Sequence, residues 1–301
     1  MLYFLQQVLN GVHAGALYAL LAFGYALTNG VVHRTNLAYG AIFAFAGQTM
    51  ILVAVFGWYV LWLTLPATVG LGIVAGLAYA ALSGAVLARW VLGPLASRSP
   101  NAVVAATLGV SLVLMELGRI AAETRDFWLP PMLSTPVTFA AADGFRVTLT
   151  VIQLIDCAIV AAAVAAMSFG LARSRFGRLW RAVSDDPAAA RLCGVDVERV
   201  FLQTVVAGAL IAGLAGILAG LYFGNISFGT GLIYGLKILF VAAVGGYARP
   251  TRAALGAGLF GLAEALWSGY FPVDWRDAAV FVALILLLVL QPPEREARQA
   301  P

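Results

Sequence analysis

Long apolar stretches separated by short polar connections run through almost the whole chain. Runs of about 20 apolar residues are long enough to cross a bilayer as α-helices. They lie near residues 8–28, 38–56, 60–87, 101–121, 149–171, 201–223, 231–247, 255–271 and 278–291. Because the last run is short and several runs are closely spaced, the pattern predicts eight or nine transmembrane helices, in one domain over residues 1–301.

The composition agrees with a membrane location. Of the 301 residues, 62% are hydrophobic and 11% are charged, and the mean hydropathy is +0.94. Soluble domains carry roughly 25% charged residues, and a globule of this size cannot bury so much apolar surface. We therefore predict an all-α polytopic membrane protein in a lipid bilayer. The net charge of +4 does not indicate nucleic-acid binding, because the arginines lie in connections between apolar runs.

The basic connections predict how the helices are oriented. Cytoplasmic loops of membrane proteins are enriched in lysine and arginine, and residues 172–200 hold six arginines. If this loop is cytoplasmic, alternation of the helices puts further arginines on the same side: Arg34, Arg89, Arg98, Arg249, Arg252, Arg295 and Arg298. The charge of the arginines on the other side is offset by acidic residues. That side has Arg125, Arg146 and Arg276, together with Glu123, Asp126, Asp143, Asp274 and Asp277. The amino terminus is then periplasmic and the carboxyl terminus cytoplasmic.

The longest external connection is residues 122–148, predicted to be a periplasmic loop. Its prolines, followed by the segment GFRVTLTV, indicate an irregular loop that could contain a β-hairpin. Such a loop could contact an external partner, or it could only cover the helix ends.

The loop at residues 172–200 contains the start and stop signals of a short helix. Asp186 can cap the first amide groups, Pro187 suits the first helical position, and Gly194 can adopt the left-handed conformation that ends a helix. A capped helix on the arginine-rich side of a membrane protein predicts a docking surface for a cytoplasmic partner.

Two glycine-containing breaks interrupt the apolar pattern. The first extends from Thr28-Asn29-Gly30 to Asn36-Leu37-Ala38-Tyr39-Gly40, and the second is Gly245-Gly246-Tyr247-Ala248-Arg249-Pro250. Each break is either a plain turn or a stretch of unwound backbone, which membranes tolerate only where it lines a cavity or is buried in protein. In the second interpretation, the candidate translocation path includes Thr28, Asn29, Asn36, Tyr39, Gly245 and Gly246.

Ionisable residues within apolar runs need a structural or functional reason. Lys237 and Glu264 lie on successive predicted helices, each about ten residues from the connecting turn. They are therefore expected at a similar depth in the membrane, where they could form an ion pair. The pair is either a structural clamp or part of the pathway. Glu116 and Arg119 predict a second pair near a helix end, whereas the sequence identifies no partner for Asp156.

The sequence indicates no catalytic or metal chemistry. His13 and His33 lack a second ligand at metal-binding spacing, and Cys157 and Cys193 fall in segments of different depth. The phosphate-binding motif G-x-x-x-x-G-K-[ST] is missing, so this chain is not expected to hydrolyse ATP. We expect a non-enzymatic protein that binds no metal or cofactor itself.

Four stretches together resemble a known family: Phe4 to Val32, Asn36 to Gly40 (NLAYG), Ser174 to Val200, and Gly235 to Leu266. They are similar to the membrane permease subunit of branched-chain amino acid ABC importers, of the LivH type. The resemblance implies an ABC importer permease in the bacterial inner membrane that moves branched-chain or other amino acids by alternating access. The family commonly has a histidine at the position of Tyr39 and a Ser-Ile-Pro-Gly turn at residues 248–251. Urea, short amides or another small polar solute are therefore alternatives.

The resemblance also implies partners and site residues. The helix in the 172–200 loop would be a coupling helix that enters a groove on a cytoplasmic ATPase, with apolar anchors surrounded by cations. The implied coupling residues are Arg178, Trp180, Arg181, Asp186, Pro187, Ala189, Leu192 and Gly194. Two ATP-binding subunits would hold ATP and Mg, a periplasmic binding protein would deliver the solute, and a second permease chain (a LivM-like partner or another copy) would complete the path. A self-contained channel or secondary carrier, which would need a coupling-ion site or a complete pore in one chain, is the alternative from a different class.

Overall fold

The computed structural model of this protein describes residues 1–95, 100–142, 144–227, 229–246 and 249–290. Six residues named above, Arg98, Asp143, Tyr247, Ala248, Arg295 and Arg298, lie outside the described residues.

Helices dominate the described chain. The first half contains α1 (Leu2–Val32), α2 (Ala38–Tyr59), α3 (Leu65–Val86), a π-helical segment (Leu87–Leu92), α4 (Gly93–Leu95) and α5 (Pro100–Ala121). The second half contains α6 (Val151–Arg173), α7 (Arg175–Asp185), α8 (Pro187–Leu192), α9 (Val197–Phe223), α10 (Thr230–Gly245), α11 (Pro250–Tyr270), a 3₁₀ turn (Val273–Trp275) and α12 (Arg276–Leu290). Each predicted apolar run therefore contains a helix.

Six of these helices are long and apolar enough to cross a membrane, namely α1, α2, α3 with its extension to Leu95, α5, α6 and α9. The runs at 231–247 and 278–291 correspond to α10, with 16 residues, and α12, with 15 described residues. Both are shorter than the roughly 20 residues that cross a hydrocarbon core. Helix α11 has 21 residues but is less apolar than the six. The structure therefore confirms a helical membrane protein without reproducing eight or nine full-length spans.

A β-hairpin lies at one end of the helical bundle. Strands β1 (Pro136–Ala142) and β2 (Phe145–Thr150) pair antiparallel in the connection between α5 and α6, which adds a small sheet to the expected all-α fold. Helix α6 has 23 residues, about 34 Å, and it separates the hairpin from α7 and α8. We call the two ends of the bundle the hairpin end and the stub end.

The core of the bundle is formed by α1, α2 and α9, whose residues are largely buried, whereas α6 exposes most of its surface. Small residues allow the helix backbones to approach each other closely. A Cβ atom on Gly15 would collide with Gly258, and one on Gly40 would collide with the backbone of Gly231 and Gly235. These contacts join α1 to α11 and α2 to α10.

Candidate functional site

The helix predicted in the 172–200 loop is α8, and its capping follows the sequence signals. Asp186 Oδ1 accepts hydrogen bonds from the amides of Ala188, at 2.8 Å, and Ala189, at 3.0 Å. Pro187 occupies the first helical position, and Gly194 closes the turn with a φ of 79°. We call residues 175–196, which contain α7, α8 and this turn, the stub.

One face of the stub is exposed and mostly apolar. Pro187, Ala188 and Ala189 are exposed, and Leu192 is 90% exposed. Ala190 is buried and faces the bundle. Together, Leu192 and the three exposed residues at the start of α8 form an apolar patch, which is a candidate docking surface for a partner protein.

Arg178 and Arg181 lie beside α6 and bind its end. Nη1 of Arg178 donates to the carbonyl of Arg173 at 3.3 Å, and Nη1 of Arg181 donates to the carbonyl of Leu171 at 2.5 Å. Arginine commonly binds the last carbonyls of a helix in this way. Both side chains are exposed, so they also keep positive charge close to the stub.

Trp180, one of the implied coupling residues, lies inside the protein and not on the exposed face of the stub. It is 5% exposed, and its Nε1 donates to the carbonyl of Leu27 at 3.1 Å. Its ring also packs against Gly30 of α1. The reason is tertiary: the apolar side of α7 covers the last turns of α1. A second link joins Ser184 and His33, whose Nε2 is 3.0 Å from the Ser184 carbonyl oxygen.

The first expected break is shorter than residues 28–40. Thr28, Asn29 and Gly30 are helical, because α1 continues to Val32. Only residues 33–37 connect α1 to α2, and the side chain of Asn36 accepts a hydrogen bond from the amide of Ala38 at 3.0 Å. The buried atoms Asn29 Oδ1 and Tyr39 Oη make no hydrogen bond within the described residues.

The starts of α2 and α11, which follow the expected breaks, are recessed from the stub end. The contacts of Gly11 with Leu262 and of Gly15 with Gly258 show that α1 and α11 run antiparallel. This register places Pro250 level with Tyr25, and α1 continues about 10 Å further to Val32. The Tyr39 ring meets the Tyr25 ring at 5.6 Å, so α2 begins at a similar level.

The two breaks lie at opposite ends of α10. Gly40, at the start of α2, packs against Gly231 and Gly235 in the first turns of α10. Gly245 ends α10 and packs against Ala253, and Gly246 follows with a φ of 91°. Helix α10 therefore bridges α2 and α11, and its length separates the two groups of candidate path residues.

In the described part of the chain, Lys237 and Glu264 form the buried part of a network of four charges, whose other two members are partly exposed. Nζ of Lys237 is 2.9 Å from Glu264 Oε1 and 2.9 Å from Asp277 Oδ1. Arg276 adds a second cation, with its Nε 3.4 Å from Glu264 and 3.2 Å from Asp277. The sequence reasoning identified the first pair but missed the two residues at the start of α12.

The sequence reasoning also missed a buried contact near the hairpin end. His13 of α1 lies 3.1 Å from Asp156 of α6, and both side chains are almost fully buried. The expectation that Asp156 has no partner is therefore wrong. The ring of Tyr222 lies 4.3 Å from the His13 ring, so this contact joins α1, α6 and α9. Among the described residues, no three His, Cys, Asp or Glu side chains form a group that could hold a metal ion.

The helical bundle, with several helices long and apolar enough to cross a bilayer, is that of a multi-pass membrane protein. A family model described as a branched-chain amino acid transport system permease component matches residues 7–290. LivH of Escherichia coli, a high-affinity branched-chain amino acid transport system permease protein, is 30% identical over 97% of this chain and 94% of its own. The BraD permease of Pseudomonas aeruginosa is 27% identical over 96% of this chain and 94% of its own.

A more distant relative is the autoinducer 2 import system permease protein LsrC of Klebsiella pneumoniae, 32% identical over 46% of this chain and 42% of its own. With a family match over most of its length, the chain belongs to the branched-chain amino acid transport permease family of ABC transporters.

Proposed function

We propose that this chain is the non-catalytic permease subunit of an ATP-driven importer in the bacterial inner membrane. It moves branched-chain or other amino acids by alternating access, together with a second permease chain. A periplasmic binding protein delivers the solute, and two cytoplasmic subunits bind ATP and Mg. The stub end faces the cytoplasm, because the arginines of the stub follow the positive-inside distribution.

The observation that carries this proposal is the contrast between the two sides of the stub. On the outer side, Ala189 and Leu192 are exposed and available to a partner. On the inner side, Trp180 and Ser184 bind α1. A partner that moves α8 therefore also moves the end of α1, since α7 links the two.

The same linkage connects the stub to the proposed solute path. Helix α1 carries Thr28 and Asn29, and its Gly11 and Gly15 pack against α11. The recessed starts of α2 and α11 and the buried oxygen atoms of Asn29 and Tyr39 support a polar path near these segments. Displacement of α1 against α2 and α11 would change access to that path, as alternating access requires.

Substitution of Ala189 tests the docking surface. Ala189→Asp places a carboxylate on the exposed face of α8, next to Leu192, and should abolish co-purification of the ATPase subunits. Ala141→Asp is the matched control, because Ala141 is also exposed but lies on β1 at the hairpin end. The docking assignment is wrong if both variants retain the ATPase subunits to the same extent.

Uptake by the reconstituted complex tests the transport function. Proteoliposomes containing both permease chains, the ATPase subunits and the binding protein are assayed with leucine, isoleucine, valine, other amino acids and urea. We expect ATP-dependent uptake of an aliphatic amino acid. Uptake by this chain alone without ATP would instead establish a self-contained channel or carrier.

A further inference from the structure

A groove of about 410 Å³ lies between α10, α11 and α12. Its walls are almost entirely apolar and include Leu259 and Ala263 of α11 and Ala283 and Leu287 of α12. The part of α11 that lines it, from Gly256 to Trp267, is about 16 Å long. The groove is thus long, apolar and large enough for a ligand.

The groove opens onto a surface of aliphatic side chains. On α11, Leu255 and Leu259 are strongly exposed, and on α12 Val282, Ile285 and Leu286 are more than half exposed. Such a surface on a membrane-spanning bundle faces hydrocarbon. The occupant of the groove therefore has an apolar body and can enter from the bilayer.

One end of the groove holds polar groups with unused hydrogen-bonding capacity. Glu264 is nine-tenths buried; its Oε1 accepts from Lys237, and the Tyr18 hydroxyl of α1 makes a further hydrogen bond to the carboxylate. A carboxylate has about four acceptor positions, so Glu264 can accept from an additional donor. Nε1 of Trp267 is also buried and donates to no group in the described residues. A ligand that donates to the remaining acceptor positions of Glu264 and accepts from Trp267 Nε1 would therefore be stabilised.

This polar end lies at the level of the lipid headgroups. Tyr270, Phe271 and Trp275, all more than half exposed, follow Trp267 where α11 ends and α12 begins. Exposed aromatic residues concentrate at the boundary between membrane and water. Arg276 is 38% exposed beside the groove and adds a cation at the same level. The groove thus runs from the headgroup region into the hydrocarbon.

We propose that this groove binds one phospholipid with a primary ammonium headgroup, of the phosphatidylethanolamine class. The ammonium donates to Glu264 Oε2, while a phosphate or ester oxygen accepts from Trp267 Nε1 and Arg276. One acyl chain lies along Leu259, Ala263 and Ala283. Phosphatidylcholine lacks the ammonium protons, and phosphatidylglycerol lacks the cation, so neither satisfies the carboxylate. This site is independent of the transport function proposed above.

Lipid selectivity of the unmodified protein provides the first test. The full chain is delipidated in detergent, mixed with phosphatidylethanolamine, phosphatidylglycerol or phosphatidylcholine of identical acyl chains, and analysed by native mass spectrometry. We expect one tightly bound phosphatidylethanolamine per chain, with at least about tenfold weaker binding of the other two lipids, as expected for one lost hydrogen bond to a charged group. Equal retention of all three lipids overturns the headgroup assignment.

Three variants locate the bound lipid. Ala263→Leu fills the groove, and Trp267→Phe removes the N–H group but keeps the ring that stacks on Phe271 at 4.4 Å. Leu255→Ala is the control, because Leu255 is exposed on the same helix but does not line the groove. We expect Ala263→Leu and Trp267→Phe to lose the lipid about tenfold more readily than Leu255→Ala. If all three variants lose the lipid equally, the lipid binds elsewhere. If added leucine displaces the lipid, the groove binds the transported solute instead.

Discussion

The charge network around the buried Lys237 gives a prediction whose magnitude follows from the structure. Lys237 contacts two carboxylates, Glu264 and Asp277, at 2.9 Å each, and its side chain is only 3% exposed. Lys237→Met leaves both carboxylates to share the single guanidinium of Arg276. Removal of one partner from a buried ion pair costs about 3–5 kcal/mol, because the remaining charge stays buried. We expect this loss in the free energy of unfolding.

Glu264→Gln should cost less than Lys237→Met, because Lys237 keeps its contact with Asp277. A lost hydrogen bond to a charged group corresponds to about 1.5–3 kcal/mol. The double variant Lys237→Met with Glu264→Gln removes one charge of each sign and leaves Arg276 paired with Asp277, at 3.2 Å. It should therefore be less destabilised than Lys237→Met alone.

Reversible unfolding of the purified chain in mixed micelles measures all three variants. Because the double variant should lose less than Lys237→Met alone, the coupling energy of the double-mutant cycle should be at least as large as the loss in Glu264→Gln, about 1.5–3 kcal/mol. Additive losses within about 0.5 kcal/mol would refute the argument, because independent sites behave in that way. A double variant with a lower free energy of unfolding than both single variants would also refute it.

Two further predictions concern contacts between helices. Gly40→Ala should destabilise the protein by about 1–3 kcal/mol, because the added methyl group overpacks against α10. Gly109→Ala is the control: no atom lies within 4 Å of its added methyl group, so it should be neutral or stabilising. Equal melting temperatures of the two variants would contradict the close approach of α2 and α10. Trp180→Phe keeps an aromatic ring but loses the hydrogen bond to Leu27, so we expect fewer solute molecules transported per ATP hydrolysed by the reconstituted complex, with exposed Trp90→Phe as the control. An unchanged ratio for Trp180→Phe would show that this contact does not transmit motion.

The sequence alone predicted the features that depend on neighbouring residues. Asp186 and Gly194 act on backbone groups within a few positions of themselves, so the capped helix α8 could be read from its residue types. The apolar runs located the helices because apolar length is a local property. The proximity of Lys237 and Glu264 was also predictable, since one short turn connects their helices and so limits their relative depth.

Tertiary structure decided which way side chains face and which distant segments meet. Trp180 is buried because α7 packs onto the end of α1, and Leu27 is 153 positions away in sequence. His13 and Asp156 are 143 positions apart, and no local spacing connects them. The short helix α10 bridges α2 and α11 because glycines on all three helices allow close backbone contact. Hydrophobic periodicity records that a residue is apolar, but the packing of helices in three dimensions determines whether it meets lipid, a partner protein or another helix.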